Sequence, residues 1–393
     1  MRSSHFAVVT VALACAACGS SGSNGAHGSG DGGPQTAVEG GAAGDDAGGD
    51  AGAGASDGAA PPSDGQSPPG DDGGSPVTPP PALSIDVSQT SVSGISAGGF
   101  MAVQFGVAFS SIVQGIAVFA GGPFGCSQGS LATAETQCTS GSTAPDVTPL
   151  IASTKSLASS GAIDATSYLA KERIYLFGGA DDQVVNPVVM DAAQSYFEGF
   201  IPTSAIQYES RRAATGHTMP TLSYGGSCDS NDSPWIGDCG YDGAGIALAQ
   251  IYGTLVAASS APSGKISALA QGDFVTSPAS HSLADTGYVY VPASCASGET
   301  CRVHVAFHGC DMQATGAVGS EYYLHAGYNV WADTNHIVVL YPQATTSSAD
   351  PNACWDWWGY DSADYDTQSA PQMAMVRKMI SYLAAPGDGG DGG

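Results

Sequence analysis

The chain has 393 residues, of which 36 are acidic and 10 are basic, and its formal net charge is −26 at pH 7. This excess of acidic residues argues against nucleic acid and anionic membrane surfaces as partners, because both carry negative charge. The region from Ala82 to Pro386 has the composition of a folded protein and is long enough for one large domain with a buried core.

The N-terminal segment predicts export. Arg2 precedes an apolar run, residues 6–17, that is typical of a signal peptide and too short to span a bilayer as a stable helix. A cysteine follows small residues at the end of this run, so Cys18, or alternatively Cys15, is a candidate for lipidation. Plain cleavage of a signal peptide over residues 1–18 remains open. We expect a secreted protein or a lipoprotein at the extracellular surface.

Low-complexity segments flank the folded region. Residues 19–82 consist almost entirely of Gly, Ala, Ser, Asp and Pro and contain no aromatic residue. Such a segment buries too little apolar surface to offset the entropy lost on ordering, which predicts a disordered tether. Residues 387–393 form a similar short tail. The folded domain is therefore expected to cover residues 83–386.

Strand-like and helix-like segments alternate through the folded region. The predicted strands are TSVSGI (90–95), GIAVFAG (115–121), RIYLFGG (173–179), AIQYES (205–210), TGYVYVP (286–292), CRVHVAFHG (301–309) and HIVVLYP (336–342). The predicted helices are AGGFMAVQFGVAF (97–109), NPVVMDAAQSYFEGF (186–200), DGAGIALAQIYGTL (242–255), SEYYLHAGYNVWADT (320–334) and APQMAMVRKMISYLA (370–384). This alternation predicts an α/β fold, with a mostly parallel sheet that helices cover on both faces.

A serine lies between glycines where the first of these strands meets the first helix. The segment Gly94-Ile95-Ser96-Ala97-Gly98 fits the pattern G-x-S-x-G, which places a nucleophilic serine on a sharp strand-to-helix turn. Small flanking residues are needed because such a turn is strained and its two arms pass close together. Glycine accounts for 55 of the 393 residues, so an ordinary serine in a glycine-rich loop remains open on this segment alone.

An acid and a histidine follow later strands, in the order that α/β-hydrolases use. Asp182 comes just after the strand RIYLFGG, at the end where parallel sheets place their sites, and Asp181 is the second choice. A solvated Asp-Asp loop is the alternative. His217 lies in the loop TGHTMPT beyond the next strand. In a triad with Ser96, His217 would be the base and Asp182 would hold its tautomer.

The fourth part of such a site is an oxyanion hole made of backbone N–H groups. One is expected from Ala97, and the other from a His-Gly loop after a strand. That loop, His308-Gly309-Cys310, lies far downstream of Ser96 instead of before it. All four parts of the site are present, but the oxyanion loop follows the triad residues along the chain instead of preceding them. This order predicts a circularly permuted α/β-hydrolase. Permutation is tolerated where the chain termini lie near each other at the surface.

Eight cysteines remain when Cys15 and Cys18 are set aside, and an even number in an exported chain predicts four disulfides. Pairing sequence neighbours gives Cys126–Cys138, Cys228–Cys239, Cys295–Cys301 and Cys310–Cys354, although sequence alone leaves the connectivity open. A zinc site is the alternative, but no C-x-x-C spacing or histidine pair among these residues supports it. The proposed chemistry requires no metal and no cofactor.

Several unusual segments together resemble the extracellular poly(3-hydroxybutyrate) depolymerases of the single-domain, circularly permuted type. They are SVSGISAGGFMAVQFGVAFSS, GHTMPT, WIGDCGYDGAG, GYVYVPASC and CRVHVAFHGCDMQ. The segment YPQATTSSADPNACWDWWGY also resembles the CWxW segment of that group and of related secreted feruloyl esterases. The likeness covers about Ala82 to Ala385. It implies Ser96, Asp182 and His217 as the triad.

The resemblance further implies an oxyanion hole made by the amides of Ala97 and Cys310. It implies a polymer-contacting aromatic residue in CWDWWGY, with Trp357 as the first choice and Trp355 and Trp358 next. Core packing of these tryptophans is the alternative. The Ala97-Gly98-Gly99 run departs from the Ser-Gly-Gly of related depolymerases, but the site needs only the backbone amide there.

The implied function is hydrolysis of a poly(3-hydroxybutyrate)-type polyester by a monomeric serine esterase, through an acyl-enzyme. One alternative is a feruloyl or acetyl esterase that acts on plant polysaccharide. The other is a surface protein that binds its partner without catalysis on a hydrolase fold.

Overall fold

The computed structural model describes residues 83–384 of the chain. The predicted signal peptide (1–18) with its lipidation candidate Cys18, the tether (19–82) and the tail (387–393) lie outside the described residues. Among the residues described, none of the helices has the length and apolar character needed to cross a membrane.

Strands and helices alternate through the described residues. The strands are β1 (Ser84–Ile85), β2 (Thr90–Ile95), β3 (Val113–Phe119), β4 (Arg173–Gly179), β5 (Ile206–Arg212), β6 (Met219–Thr221), β7 (Gly226–Ser227), β8 (Ile236–Asp238), β9 (Lys265–Ala270), β10 (Thr286–Val291), β11 (Thr300–Phe307) and β12 (Ile337–Tyr341). The helices are α1 (Ala97–Ala108), α2 (Leu131–Gln137), α3 (Val147–Ser160), α4 (Pro187–Glu198), α5 (Gly243–Tyr252), α6 (Ala293–Ala296), α7 (Glu321–His325), α8 (Tyr328–Thr334) and α9 (Pro371–Ala384).

A nine-stranded sheet forms the centre of the fold. Its order is β5-β4-β3-β2-β11-β12-β10-β9, and β1 pairs with β11 as well. The pairs from β5 to β12 are parallel, whereas β10 is antiparallel to both β12 and β9. A small second sheet has the order β6-β8-β7. The expected α/β architecture with a mostly parallel sheet is confirmed.

The strand that leads to Ser96 lies in the middle of the large sheet. All six residues of β2 are buried, as expected for a parallel strand covered on both faces. Its neighbours are β3 and β11, and Gly94 of β2 pairs with Phe307 of β11. The carboxyl ends of β2 and β11 therefore lie side by side, although more than 200 residues separate them in the chain, since Ser91 and His304 are 213 positions apart.

Two apolar cores cover the two faces of the sheet. On β3, Val118 belongs to one buried cluster and its neighbour Phe119 to the other, because successive strand residues point to opposite faces. The first core includes residues of α1, α4 and α9, and the second includes residues of α5, α7 and α8. Helices thus lie on both faces, as the alternating sequence pattern predicts.

The predicted helix over 320–334 was wrong as a single element. The structure divides it into α7 and α8 at Gly327, whose φ of 93° lies in the left-handed region. A glycine adopts this conformation without steric cost, so the chain can turn there and both short helices can bury aromatic residues. Tyr322 and Tyr328, one from each helix, are fully buried in the same core.

A carboxyl group lies inside the fold at the start of β4. Glu172 is fully buried, and neither of its carboxylate oxygens accepts a hydrogen bond from a described residue. Burial raises the pKa of Glu172 well above its usual value, because the charged form loses its hydration. The folded protein therefore holds this proton more tightly than the unfolded chain does.

The free energy of unfolding should consequently decrease as the pH rises above the pKa of glutamate in the unfolded chain. In that range the unfolded chain has lost this proton and the folded protein has not. We expect Glu172→Gln, which cannot ionise, to gain stability relative to wild type between pH 4 and pH 8. The difference should grow by about 1.4 kcal/mol for each pH unit over which unfolded glutamate is ionised while Glu172 of the folded protein still holds its proton. Urea unfolding at both pH values measures it, and Glu198→Gln at an exposed position controls for the loss of one charge. A difference from wild type that is the same at both pH values would contradict the prediction.

Candidate active site

Ser96 occupies a strained turn between β2 and α1. Its backbone has φ 57° and ψ −126°, a conformation that costs energy for a residue with a side chain and is typical of active sites. A Cβ atom on Gly94 would lie 2.1 Å from the carbonyl oxygen of Gly98. A Cβ on Gly98 would lie 2.3 Å from the carbonyl oxygen of His308. Both glycines of the G-x-S-x-G pattern are therefore required by close backbone contacts.

The structure brings Asp182 and His217 together. His217 Nδ1 lies 3.1 Å from Asp182 Oδ1 and 3.0 Å from Oδ2, and both side chains are almost completely buried. Asp182 Oδ1 also accepts the backbone N–H groups of Val184 at 2.9 Å and Val185 at 2.8 Å. These bonds fix the carboxylate within its own loop. With the Nδ1 proton directed at Asp182, the Nε2 atom of His217 is left to accept a proton.

Asp181, the second choice for the acid, is placed differently. Its side chain is exposed, and its backbone N–H donates to the carbonyl oxygen of Thr215 at 2.9 Å. The backbone of Asp181 thus joins two loops, whereas its carboxylate does not contact His217. Of the two adjacent acids, only Asp182 has the geometry of a histidine partner.

Ser96 and Asp182 follow two parallel strands, β2 and β4, that are separated only by β3, so they lie at the same edge of the sheet. Ala97 next to Ser96 and Val185 in the Asp182 loop belong to one buried cluster, which also contains Phe100 and Trp357. The chain directly after Ser96 and the chain that follows Asp182 therefore pack in the same apolar cluster.

The predicted oxyanion loop runs directly past Ser96. A Cβ on Gly309 would lie 3.2 Å from Ser96 Cβ. Ala97 is the first residue of α1, so its N–H has no acceptor within the helix and lies at the positive end of the helix dipole. The loop and the helix N-terminus together can therefore direct N–H groups toward negative charge beside Ser96.

His308 holds this loop as a neutral side chain. Its Nε2 accepts the N–H of Ala344 at 3.1 Å, so the proton lies on Nδ1, which donates to the carbonyl oxygen of Gly309 at 2.7 Å. Burial lowers the pKa of His308 to about 4. The imidazole consequently stays uncharged at neutral pH and acts as a bridge between the loop and the chain after β12.

The three tryptophans of CWDWWGY have different environments. Trp355 is fully buried, and its Nε1–H donates to the carbonyl oxygen of His308 at 3.0 Å. Trp355 is therefore packed in the core beneath the His308 loop, and its ring has no exposed surface for contact with a polymer. Trp357 is 7% exposed and stacks on Phe100 at 4.0 Å. Trp358 is half-buried and packs edge-on against Trp357 at 5.4 Å.

Asp356, which no motif in the sequence marks, organises the loop that carries these tryptophans. Its buried carboxylate accepts four backbone N–H groups at 2.7–3.2 Å, those of Gly359, Tyr360, Asp361 and Ser362. Burial raises the pKa of Asp356 to about 6, while the four N–H bonds act in the opposite direction. All four partners are backbone N–H groups, which every residue type offers, so the sequence of the loop gives no signal for this role.

The structure joins the eight cysteines among the described residues in four disulfides. They are Cys126–Cys138, Cys228–Cys239, Cys295–Cys301 and Cys310–Cys354, the same pairs that sequence proximity suggested. The fourth joins the oxyanion loop to the tryptophan loop across 44 residues. In the part of the chain that the structure describes, no group of three or more His, Cys, Asp or Glu side chains could hold a metal ion.

The bridge between Cys310 and Cys354 should support both stability and turnover. We expect Cys310→Ala with Cys354→Ala to destabilise the fold by about 4 kcal/mol, the chain-entropy value for a loop of this length. Ester hydrolysis should fall without vanishing, because the backbone amide of residue 310 is retained but less well fixed. A prepositioned oxyanion donor contributes about 3 kcal/mol, which is the upper limit of the expected loss.

Thermal unfolding and the kcat/KM for a p-nitrophenyl ester measure the two effects. Cys295→Ala with Cys301→Ala is the matched control, since that bridge lies at the start of β11, at the opposite end of the strand from the oxyanion loop. The control should lose stability and retain turnover. Peptide mapping without reduction that recovered Cys310 and Cys354 as free thiols would contradict the prediction.

The curated proteins that resemble this chain include two depolymerases of the same polymer. No protein-family model matches the chain. The chain is 45% identical over 315 residues to a poly(3-hydroxybutyrate) depolymerase of Delftia acidovorans, covering 79% of this chain and 62% of that protein's length. It is 37% identical over 322 residues to a polyhydroxybutyrate depolymerase of Talaromyces funiculosus, covering 78% of this chain and 92% of that protein.

Two solved structures also resemble the fold. The crystal structure of a PHB depolymerase from Penicillium funiculosum aligns with a TM-score of 0.72 at 36% identity, covering 78% of this chain and 99% of that one. A PHB depolymerase with a serine-to-alanine substitution, complexed with an R3HB trimer, aligns with a TM-score of 0.73 at 35% identity and the same coverage of each chain.

Proposed function

The chain belongs to the poly(3-hydroxybutyrate) depolymerase family, and from this premise we propose that it hydrolyses poly(3-hydroxybutyrate) as a serine esterase. The observation that carries the proposal is the His217–Asp182 pair at the sheet edge where Ser96 occupies a strained strand-to-helix turn. A similar structure in which a serine has been replaced holds an R3HB trimer, which supports a serine nucleophile and a polyester substrate.

In the proposed mechanism, His217 removes the proton of the Ser96 hydroxyl and Ser96 Oγ attacks the carbonyl carbon of the ester. The carbonyl electrons move to oxygen and form a tetrahedral oxyanion. When the carbon–oxygen bond of the ester breaks, His217 gives its proton to the leaving alkoxide, which departs as the hydroxyl end of a shorter chain. The acyl group stays bonded to Ser96 Oγ.

Water completes the cycle. His217 takes a proton from water, and the hydroxyl attacks the acyl carbon. Ser96 Oγ then leaves and regains its proton from His217, and the product leaves with a carboxyl end. Asp182 keeps its negative charge throughout and stabilises the imidazolium that forms twice in each turnover.

We assign the oxyanion hole to the backbone N–H groups of Ala97 and Cys310. The position of Ala97 at the start of α1 and the passage of Gly309 beside Ser96 support this assignment. Each donor is worth about 3 kcal/mol in the transition state, provided that it is fixed before the reaction. The buried, neutral His308 and the Trp355 bond to its carbonyl oxygen supply that fixation.

We assign polymer contact to Trp357 and Trp358. Trp357 belongs to the buried cluster that also contains Ala97 and Val185, and Trp358 retains partial exposure beside it. The partly exposed ring of Trp358, supported by the buried Trp357, offers an apolar aromatic surface that suits the methyl-bearing backbone of a polyester. This assignment leaves Trp355 as a structural residue.

We propose further that the protein acts as a monomer outside the cell. The four disulfides among the described residues support an oxidising compartment. We propose in addition that a lipid attached to Cys18 anchors the protein at the cell surface. The circular permutation is part of the same proposal. The adjacency of β2 and β11, which are early and late in the chain, supports it.

A comparison of two substrates tests the function. We expect the protein to clear an emulsion of poly(3-hydroxybutyrate) and to release no ferulate from feruloylated polysaccharide. Ferulate release without clearing would replace the proposal with a feruloyl esterase. Failure on both substrates and on a p-nitrophenyl ester would favour a protein that binds at the surface without catalysis.

A further inference from the structure

One asparagine side chain joins the loops that carry the acid and the base. Asn231 Oδ1 accepts the backbone N–H of Gln183 at 2.8 Å and the backbone N–H of His217 at 3.0 Å. Asn231 Nδ2 donates to the carbonyl oxygen of Asp181 at 3.1 Å. Gln183 and Asp181 are the two neighbours of Asp182 in the chain. A single amide group therefore contacts the backbone on both sides of the acid and the backbone of the base.

These partners fix the orientation of the amide. The oxygen faces two N–H groups and the nitrogen faces carbonyl oxygens, so the reversed orientation would lose every bond. Both halves of the amide are needed. A side chain that only accepts would lose the hydrogen bond to the carbonyl oxygen of Asp181, and one that only donates would lose the hydrogen bond from the N–H of His217. Asparagine meets this requirement in the space available.

Asn231 lies in a short segment whose two ends are joined by a disulfide. It lies between Cys228 and Cys239, which are joined in a disulfide. The carbonyl oxygen of Cys228 accepts the N–H of Gly216 at 2.9 Å, and β8 at the far end of the segment pairs with β6, which begins two residues after His217. The segment is therefore bonded to the chain around His217 on both sides of Asn231, at Cys228 before it and along β8 after it.

We propose that Asn231 is a positioning residue that sets the separation of His217 and Asp182 in the hydrolysis proposed above. It bonds to backbone groups on both loops and acts on the reaction only through the pair that it holds. Two backbone bonds also join these segments, from Ala180 N–H to Arg212 and from Asp181 N–H to Thr215, and neither involves the backbone of His217. The Asn231 bonds therefore supply the connection that reaches the base itself. A triad whose groups shift by about 1 Å loses about 100-fold in rate.

The test compares Asn231→Ala with a buried asparagine of similar bonding elsewhere. Asn335 is 9% exposed, and its amide accepts from Val256 N–H at 2.8 Å and donates to the carbonyl oxygens of Val256 and Trp331 at 2.9 Å. It lies after α8, just before β12 begins, at the opposite end of that strand from the site. Asn335→Ala therefore removes an equivalent set of backbone bonds far from the triad.

We expect Asn231→Ala to lower kcat for a soluble p-nitrophenyl ester by about 100-fold, with little change in KM. Asn335→Ala should lower the melting temperature and change kcat less than threefold. Asn231→Asp, which retains the acceptor and loses the donor, should lie between wild type and Asn231→Ala in kcat. A kcat for Asn231→Ala within threefold of wild type, or an equal loss in Asn335→Ala, would overturn the proposal.

Proton NMR separates this inference from the proposed function. The Nδ1 proton of His217, hydrogen-bonded to Asp182, should give a downfield resonance in the wild type and in Asn335→Ala. It should broaden or disappear in folded Asn231→Ala. This result would support positioning by Asn231 even if the protein hydrolysed neither polyester nor soluble ester. An unchanged resonance in Asn231→Ala would overturn the inference even if hydrolysis of the polyester were established.

Discussion

Replacing Ser96 with alanine is expected to abolish ester hydrolysis and leave the fold intact. The change removes the hydroxyl that we propose as the nucleophile and keeps the Cβ atom, so the turn at φ 57° has the same steric requirement as before. Without its nucleophile, a comparable triad loses about a millionfold in kcat. Hydrolysis of a p-nitrophenyl ester and clearing of a poly(3-hydroxybutyrate) emulsion measure the loss.

The control for Ser96→Ala is Ser159→Ala, which changes an exposed serine on α3. Both variants should retain the circular dichroism spectrum and melting temperature of the wild type within a few degrees. If folded Ser96→Ala kept more than about one-thousandth of the wild-type rate, another nucleophile would have to be sought.

Asp182→Asn should lower kcat by about four powers of ten, the loss that the same change causes in a comparable triad. The asparagine keeps the shape of the side chain, and its oxygen can still accept from Val184 and Val185. Its NH₂ group, however, can donate to His217 Nδ1, which favours the tautomer with the proton on Nε2. The histidine then cannot accept the proton of Ser96.

Asp181→Asn is the matched control for Asp182→Asn, because it removes the same charge one residue away. Its side chain is exposed and the backbone bonds of residue 181 are retained, so kcat/KM should change less than about threefold. Steady-state kinetics on a soluble ester at neutral pH compares the two variants. A larger loss in Asp181→Asn than in Asp182→Asn would transfer the role of triad acid to Asp181.

The architecture of the domain and the loops of the candidate site could be predicted from the amino-acid pattern. Apolar strands alternating with helices fix a parallel sheet, because such strands must be covered on both faces. Gly94 and Gly98 mark the turn at Ser96, since only glycine allows the contacts found there. The positions of Ser96, Asp182 and His217 after three different parallel strands predict their common edge, because parallel strands end at the same side of a sheet.

Which of these residues contact one another, and which are buried, could not be predicted from the amino-acid pattern and follows from the packing of the folded chain. Nothing in CWDWWGY distinguishes Trp355, which is fully buried, from Trp358, which is half-buried, because burial depends on what packs against each face. Asp356 and Asn231 were missed for the same reason. Their hydrogen-bond partners are backbone groups, which every residue has, and in the case of Asn231 they come from loops 14 and 50 residues away. Local patterns carry periodicity and turn chemistry, whereas such contacts exist only after distant segments have packed together.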